Sequence, residues 1–60
     1  MSFEYNGIHF ETEMSWIEGN SIILYANGKP YRRKVYYNRT DGLYIVFNNT
    51  RLYYSDFEVR

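Results

Sequence analysis

Hydrophobic and polar residues alternate along most of the chain, and short segments containing Asn or Gly interrupt the alternation. A period of two places successive side chains on opposite faces of a β-strand, and no helix periodicity fits these runs as well. The pattern predicts an all-β protein, a six-strand antiparallel meander with one continuous apolar face. No helix is predicted beyond a single 3₁₀ turn near Ser55.

The clearest strand pair is predicted over residues 22–37, where Asn27-Gly28 separates two runs rich in β-branched and aromatic residues. An Asn-Gly pair favours a two-residue type I′ turn, because both of its residues must take a positive φ. This turn sets Tyr25 opposite Pro30, where the strand pairing does not need the N–H that proline lacks. The resulting core face contains Ile22, Leu24, Tyr31, Val35 and Tyr37, together with the charged Arg33.

The N-terminal third is predicted to form a hairpin on Asn6-Gly7 and then one continuous strand over residues 8–16. A three-residue loop at residues 18–20 joins that strand to the central hairpin. This loop length is preferred because it buries Trp16, whereas a two-residue loop would turn the indole outward. In the same register Met14 also points into the core.

The C-terminal half is predicted to contain two further hairpins. The first turns at residues 40–42 with Gly42 in the left-handed conformation, which produces a β-bulge and pairs Tyr37 with Ile45. The second turns on Asn48-Asn49. Its outward pairs are Val46 beside Arg51 and Tyr44 beside Tyr53.

A single short sheet leaves its apolar face uncovered, so the meander is predicted to curl into a small closed barrel. A homodimer that stacks two open sheets is the competing arrangement. The tail at residues 54–60 resembles the end of an SH3-like barrel, with Ser55-Asp56-Phe57 as the 3₁₀ turn and residues 58–60 as a short closing strand. The resemblance implies an SH3-like architecture, although a Sm-like or Tudor-like barrel would look similar here. The acidic loop motif and paired tryptophans of peptide-binding SH3 domains are missing, so no proline-motif binding residues are carried over.

The length of 60 residues predicts one domain, residues 1–60, near the size at which burial only just exceeds the chain entropy lost on folding. Eight Tyr, four Phe and one Trp partly solve that problem, because each aromatic side chain buries a large area. The sequence has no cysteine, which excludes a disulfide framework and a thiolate metal site. No apolar run is long enough for a signal peptide or a membrane span, so a cytoplasmic location and no membrane partner are expected.

The charges are unevenly distributed although the net charge is zero. Residues 1–28 contain four acidic residues and no Lys or Arg, whereas residues 29–39 contain five basic residues and no acidic one. Zero net charge argues against a general polyanion binder. The separation of the two signs instead predicts a dipolar molecule that discriminates between partners.

Catalytic chemistry has few candidates. His9 is the only histidine, and Glu4 and Glu11 are its predicted neighbours on the same face. This group could act as a general base or a weak metal ligand, but a solvated histidine explains it more simply. The sequence has no nucleophile beside a base, no Gly-rich phosphate loop and no zinc or calcium ligand set. We therefore expect no enzymatic activity, no metal and no cofactor.

The outward-facing residues of four adjacent strands form the candidate binding face. Its predicted contact residues are Tyr25, Arg32, Lys34, Tyr36, Tyr44, Arg51 and Tyr53. The aliphatic Ile23 and Val46 share this face, and exposed apolar area of this kind often marks a contact surface. Tyrosine and β-branched residues are also favoured on any pleated surface, and Arg over Tyr is ordinary cross-strand packing.

Three functions are compatible with this face. A protein partner is favoured, because Tyr and Arg are frequent interface anchors, and the predicted function is a non-catalytic binding or inhibitory module. Single-stranded nucleic acid is the alternative, with tyrosines stacking on bases and cations meeting phosphates, but the acidic first strands would repel it. Self-association is the third, with Glu11 and Glu13 of one copy pairing with Arg32 and Lys34 of another.

Overall fold

The structure, a computed structural model, describes residues 1–58 of the chain. Within this range the chain forms seven β-strands and one short helix. The strands are β1 (Ser2–Tyr5), β2 (Ile8–Thr12), β3 (Ser21–Ala26), β4 (Lys29–Lys34), β5 (Tyr36–Asn38), β6 (Gly42–Phe47) and β7 (Thr50–Tyr53), and the helix is α1 (Tyr54–Glu58). No helix in the described part of the chain is long and apolar enough to cross a membrane.

The strands form two antiparallel sheets, which confirms the all-β prediction. The first sheet has the order β1-β2-β3-β4 and the second the order β5-β6-β7, so each strand pairs only with its neighbours in sequence. The chain passes from one sheet to the other at Val35, between β4 and β5. A single six-strand meander is therefore wrong. Neither sheet closes on itself, and the predicted closed SH3-like barrel is not confirmed.

The hairpins with Asn-containing two-residue turns have the predicted registers. On Asn27-Gly28, with φ of 51° and 85°, Tyr25 faces Pro30 and Ala26 faces Lys29. The Asn27 side chain has a second role, because its Oδ1 accepts a hydrogen bond of 2.9 Å from the His9 backbone N–H. This turn therefore attaches the central hairpin to β2. The turns on Asn6-Gly7 and Asn48-Asn49 also agree with the prediction.

Replacing Gly28 with valine is expected to lower the free energy of unfolding by about 1–3 kcal/mol. A Cβ at this position would meet no atom within 4 Å, so the cost comes from the positive φ and not from a clash. Urea unfolding of Gly28→Val and of Lys29→Val, an exposed position in β4, measures the difference. Equal midpoints for the two variants would contradict the proposed turn conformation.

The pairing of β2 with β3 differs from the predicted register by two residues. Strand β2 ends at Thr12, which faces Leu24, and residues 13–20 form a long loop instead of continuing the strand. Trp16 is nevertheless buried, as predicted. Its indole N–H donates hydrogen bonds to Thr12 Oγ1 at 3.0 Å and to the Glu13 carbonyl at 3.1 Å. Met14 is 70% exposed, so its predicted inward orientation is wrong.

The pairing of β5 with β6 is also displaced by two residues. Tyr37 faces Leu43, where Ile45 was expected, and Asn38 faces Gly42 across a turn of the same length that lies one residue earlier, at residues 39–41. The Asn38 Oδ1 accepts hydrogen bonds of 2.8 Å from the backbone N–H groups of Thr40 and Asp41, which stabilises this turn. The positive φ of Gly42 (86°) agrees with the prediction. Tyr37 lies on an edge strand and is 51% exposed, so its assignment to the core is wrong.

The core lies between the two sheets and beneath the terminal helix. The buried hydrophobic side chains are Phe3, Phe10, Trp16, Ile22, Leu24, Val35, Ile45, Phe47, Leu52 and Phe57. The predicted 3₁₀ turn is a short α-helix, and it places the Phe57 ring 5.2 Å from Phe3 and 5.5 Å from Trp16. Most of the predicted closing strand, with Val59, lies outside the described residues.

Arg33, the charged residue on the inner side of the central hairpin, lies at the margin of the core. Its guanidinium is 5.4 Å from the centre of the Tyr31 ring and 5.5 Å from that of Phe47. The side chain therefore covers aromatic surface while keeping its charge partly in water.

Candidate functional site

The outer side of the second sheet contains three tyrosines aligned across its strands. Cross-strand pairing joins Tyr36 on β5 to Tyr44 on β6, and Tyr44 to Tyr53 on β7. The ring centres are 5.5 Å apart in the first pair and 5.7 Å in the second, with interplanar angles of 26° and 53°. Alternation along each strand places all three rings away from the core, so their contact is a direct result of the register.

Two cations lie against these rings. The Lys34 Nζ is 5.7 Å from the centre of the Tyr36 ring, and the Arg51 Cζ is 4.6 Å from that of Tyr44. Both distances are within the range of a cation–π contact. Lys34 belongs to the first sheet, but the buried Val35 lets Lys34 and Tyr36 point to the same side. We call Lys34, Tyr36, Tyr44, Arg51 and Tyr53 the tyrosine–cation row.

The surroundings of Arg51 favour its charged form. The interaction with the Tyr53 side chain is the largest cause that raises the pKa of Arg51, and the nearby Tyr44 acts in the same direction. Asp41 makes a smaller contribution but forms no ion pair with the guanidinium. The side chain is thus positioned by two tyrosines and remains open to water on its other side.

The row combines free charge with exposed apolar surface. Within residues 1–58 the only ion pair joins His9 to Glu11, so neither Lys34 nor Arg51 has a carboxylate partner. Tyr36 is 42% exposed, and the neighbouring Val46, opposite Arg51, is 39% exposed. A ligand would therefore meet cations with unused hydrogen-bond donors next to apolar area.

Two predicted site residues do not join the row. Tyr25 and Arg32 lie on the outer side of the first sheet, opposite Pro30 and Ile23 respectively. Among residues 1–58, no ring or cation contact connects either side chain to the row. The structure thus brings together five of the seven predicted residues and places the other two on the outer side of the first sheet, which meets the row at Lys34.

Sequence reasoning missed a shallow cleft between the two sheets. It has a volume of about 200 Å³ and is lined by Tyr5 and Ile8 on one side and by Asn48, Thr50 and Leu52 on the other. The cleft exists because the sheets do not close, and no local sequence signal announces such an opening. It contains no carboxylate, histidine or cation, so it offers no acid–base chemistry.

The candidate for acid–base chemistry is an exposed pair. His9 Nε2 is 3.7 Å from Glu11 Oε2, and their side chains are 53% and 61% exposed. Nothing desolvates either group or aligns it with a nucleophile. In residues 1–58, no cluster of three or more His, Asp or Glu side chains could hold a metal ion.

Comparison with known proteins found no family model, no curated protein and no solved structure that matches the chain. A functional interpretation has to rest on the residues themselves. Among the surfaces described above, the tyrosine–cation row has the most extensive network of contacts between outward-facing side chains.

Proposed function

We propose that the protein is a non-catalytic binding or inhibitory module that contacts another protein through the tyrosine–cation row. One observation carries the proposal: Arg51 and Lys34 are held against tyrosine rings and have no carboxylate partner. Positioning by the rings lowers the entropy that these long side chains would lose on binding. Tyrosine and arginine are also the side chains that most often dominate the energy of protein interfaces.

The chemistry of the row favours an acidic, partly apolar partner surface. A carboxylate would satisfy the unused donors of Arg51, and an aliphatic or aromatic side chain would cover Tyr36 and Val46. Both features recur together on acidic peptide segments with interspersed hydrophobic residues. We infer that the partner presents such a segment to the outer side of the second sheet.

Single-stranded nucleic acid is the second candidate, and the ring geometry disfavours it. A base stacks on an open aromatic face, but Arg51 covers the face of Tyr44 at 4.6 Å. The flanking rings of Tyr36 and Tyr53 occupy the space beside it. Phosphates could still bind Lys34 and Arg51, so nucleic acid is the competing ligand.

The proposal includes the architecture and the setting in which the module acts. We interpret the two sheets as an SH3-like barrel with an open seam, in which α1 covers one end through Phe57. A cytoplasmic location is part of the proposal, supported by the lack of cysteine in the sequence.

Selection from a random peptide library against the immobilised protein tests the main proposal. We expect the recovered peptides to be rich in Asp and Glu beside apolar residues. Their affinity should fall at least about tenfold for Arg51→Glu and for Tyr36→Ala, as expected for interface anchors. Arg39→Glu is the matched control, because it makes the same charge change at an exposed position in the loop before β6 and should bind normally. Peptides that bind Arg51→Glu as well as wild type would refute the site.

An amide-shift titration tests nucleic acid directly. Mixed-sequence single-stranded DNA and RNA oligomers are added to labelled protein at low salt and again at high salt. We expect no specific shifts in the row. Shifts centred on Tyr36, Tyr44 and Tyr53 that fade with salt would overturn the protein-partner proposal in favour of nucleic acid.

A further inference from the structure

The outer side of the first sheet has its charges divided between opposite corners. Glu4 on β1 and Glu11 on β2 are exposed at one corner, and Arg32 and Lys34 on β4 are exposed at the other. Between them, on β3, lie Tyr25 and Ile23. We call this set of six residues the charge-split face.

The strand registers establish the diagonal arrangement. Glu11 on β2 faces Tyr25 on β3. Two residues earlier on β3, Ile23 faces Arg32 on β4. Tyr25 is 42% exposed, and Ile23 is half-buried. The face therefore has an acidic corner, an apolar centre and a basic corner, in that order.

We propose that the charge-split face binds a second copy of this chain in an isologous dimer. A two-fold axis lying in the interface and crossing near Tyr25 and Ile23 sets the acidic corner of each copy over the basic corner of the other. Both charge contacts then form at once, as closed two-fold symmetry requires. The tyrosines and isoleucines of the two copies pack against each other at the centre.

The charges on this face are available for such pairing. Neither Arg32 nor Lys34 forms an ion pair within residues 1–58, and Glu4 forms none, while Glu11 contacts only the exposed His9. A net charge of zero means that two copies do not repel each other at long range. A polyanion would be repelled by the acidic corner, so the face suits a partner that carries both signs, as this chain does.

The size of the face sets the expected strength of the dimer. Four strands about 4.8 Å apart, each with about five residues at about 3.3 Å per residue, give a patch of roughly 19 Å by 17 Å, or about 320 Å². This is smaller than the roughly 800 Å² per partner of a standard stable interface. We therefore expect a weak dimer, with a dissociation constant on the order of 100 μM at low salt.

Sedimentation equilibrium of the 60-residue chain tests the proposal. We expect a monomer–dimer equilibrium at about 20 mM salt that weakens several-fold at about 500 mM salt. Arg32→Glu should weaken the dimer at least about tenfold, because it places like charges opposite each other. Arg39→Glu, in a loop outside this face, should leave the dissociation constant unchanged. Wild type that stays monomeric at about 1 mM and low salt, or equal effects of the two variants, would overturn the proposal.

A charge exchange identifies the geometry. The variant Glu4→Lys with Glu11→Lys has an entirely basic face, and the variant Arg32→Glu with Lys34→Glu has an entirely acidic one. Each alone should be monomeric, and an equimolar mixture should form a one-to-one heterodimer. No complex in the mixture, with both variants folded by circular dichroism, would refute the corner-to-corner arrangement.

The two surfaces share Lys34, so variants at Arg32 and Arg51, each of which belongs to only one surface, test the dimer and the partner-binding row separately. Arg32→Glu lies outside the tyrosine–cation row, so it is expected to lose the dimer while its affinity for selected peptides persists. Arg51→Glu is expected to show the opposite behaviour. Loss of both properties in both variants would contradict the separation into two faces.

Discussion

Replacing Trp16 with alanine is expected to unfold most of the protein at 25 °C. Truncation of a buried Trp costs about 3–5 kcal/mol. At roughly 0.05–0.15 kcal/mol per residue, a chain of 60 residues has a stability of only about 3–9 kcal/mol. The side chain is 6% exposed, and its ring packs 5.2 Å from Tyr54 and 5.5 Å from Phe57. Its loss would leave a cavity beneath α1.

The same substitution removes the hydrogen bonds that organise the loop at residues 13–20. The indole N–H donates to Thr12 Oγ1, and Thr12 is itself buried. Without that donor, the hydroxyl loses a partner in the core, which adds to the cost of the cavity. The loop would also lose its one buried side chain, leaving the hydrogen bonds from Gly19 N–H to the Val35 carbonyl and from the Tyr54 hydroxyl to the Met14 carbonyl among its contacts.

Thermal unfolding followed by near-ultraviolet circular dichroism measures this effect. Met14→Ala is the matched control in the same loop, because Met14 is 70% exposed and its truncation should change the free energy of unfolding by less than about 0.5 kcal/mol. A folded Trp16→Ala with a cooperative transition near that of wild type would contradict the packing described here. So would a Met14→Ala variant as unstable as Trp16→Ala.

Trp16 and Met14 show where sequence patterning stops being informative. Alternation assigns both to the core, since it assumes that the strand continues beyond Thr12. The indole instead finds a buried position from within a loop, using a hydrogen bond to Thr12 that no periodicity encodes. Burial of Trp16 was therefore predictable, but the conformation that achieves it was not.

Turns with strong local signals were predictable in full. Asn27-Gly28 specifies its turn through backbone conformation alone, and the register of β3 with β4 follows from the turn. The loops around residues 18–20 and 40–42 lack such a signal. The first depends on contacts with a distant residue, Val35, and the second is stabilised locally by the Asn38 side chain. Both registers are displaced by two positions from the predicted pairing.

Only part of the candidate site could be predicted from local turn signals. Tyr44, Arg51 and Tyr53 belong to a hairpin with a local turn signal, so their common face was predictable. Strand alternation groups Tyr25 and Arg32 with them, because it predicts that the second strand of the central hairpin continues to Tyr37. The change of sheet at Val35 separates the two groups. A dimer through the charge-split face would use Lys34 but leave the tyrosines and Arg51 of both rows exposed, which would make the assembly bivalent for its partner.

Replacing Val35 with aspartate is expected to abolish folding. Val35 is 0% exposed, and its backbone bridges the loop before β3, donating to the Asn20 carbonyl at 2.8 Å and accepting from Gly19 N–H at 2.9 Å. A carboxylate in this position has no cation to pair with among its apolar neighbours in the core. The desolvation cost of several kcal/mol is comparable to the whole stability of so small a domain.

Tyr37, two residues further along the chain and exposed on the edge strand β5, provides the decisive comparison. Tyr37→Asp makes a charge change at a side chain that is 51% exposed, and it should cost only about 1 kcal/mol. The predicted pairing of Tyr37 with Ile45 would instead bury Tyr37 in the core beside Val35, so both aspartates would unfold the protein. Proton NMR spectra of the two variants distinguish these arrangements, with dispersed amide signals expected for Tyr37→Asp alone. Loss of dispersion in both would instead support the predicted burial of Tyr37 in the core.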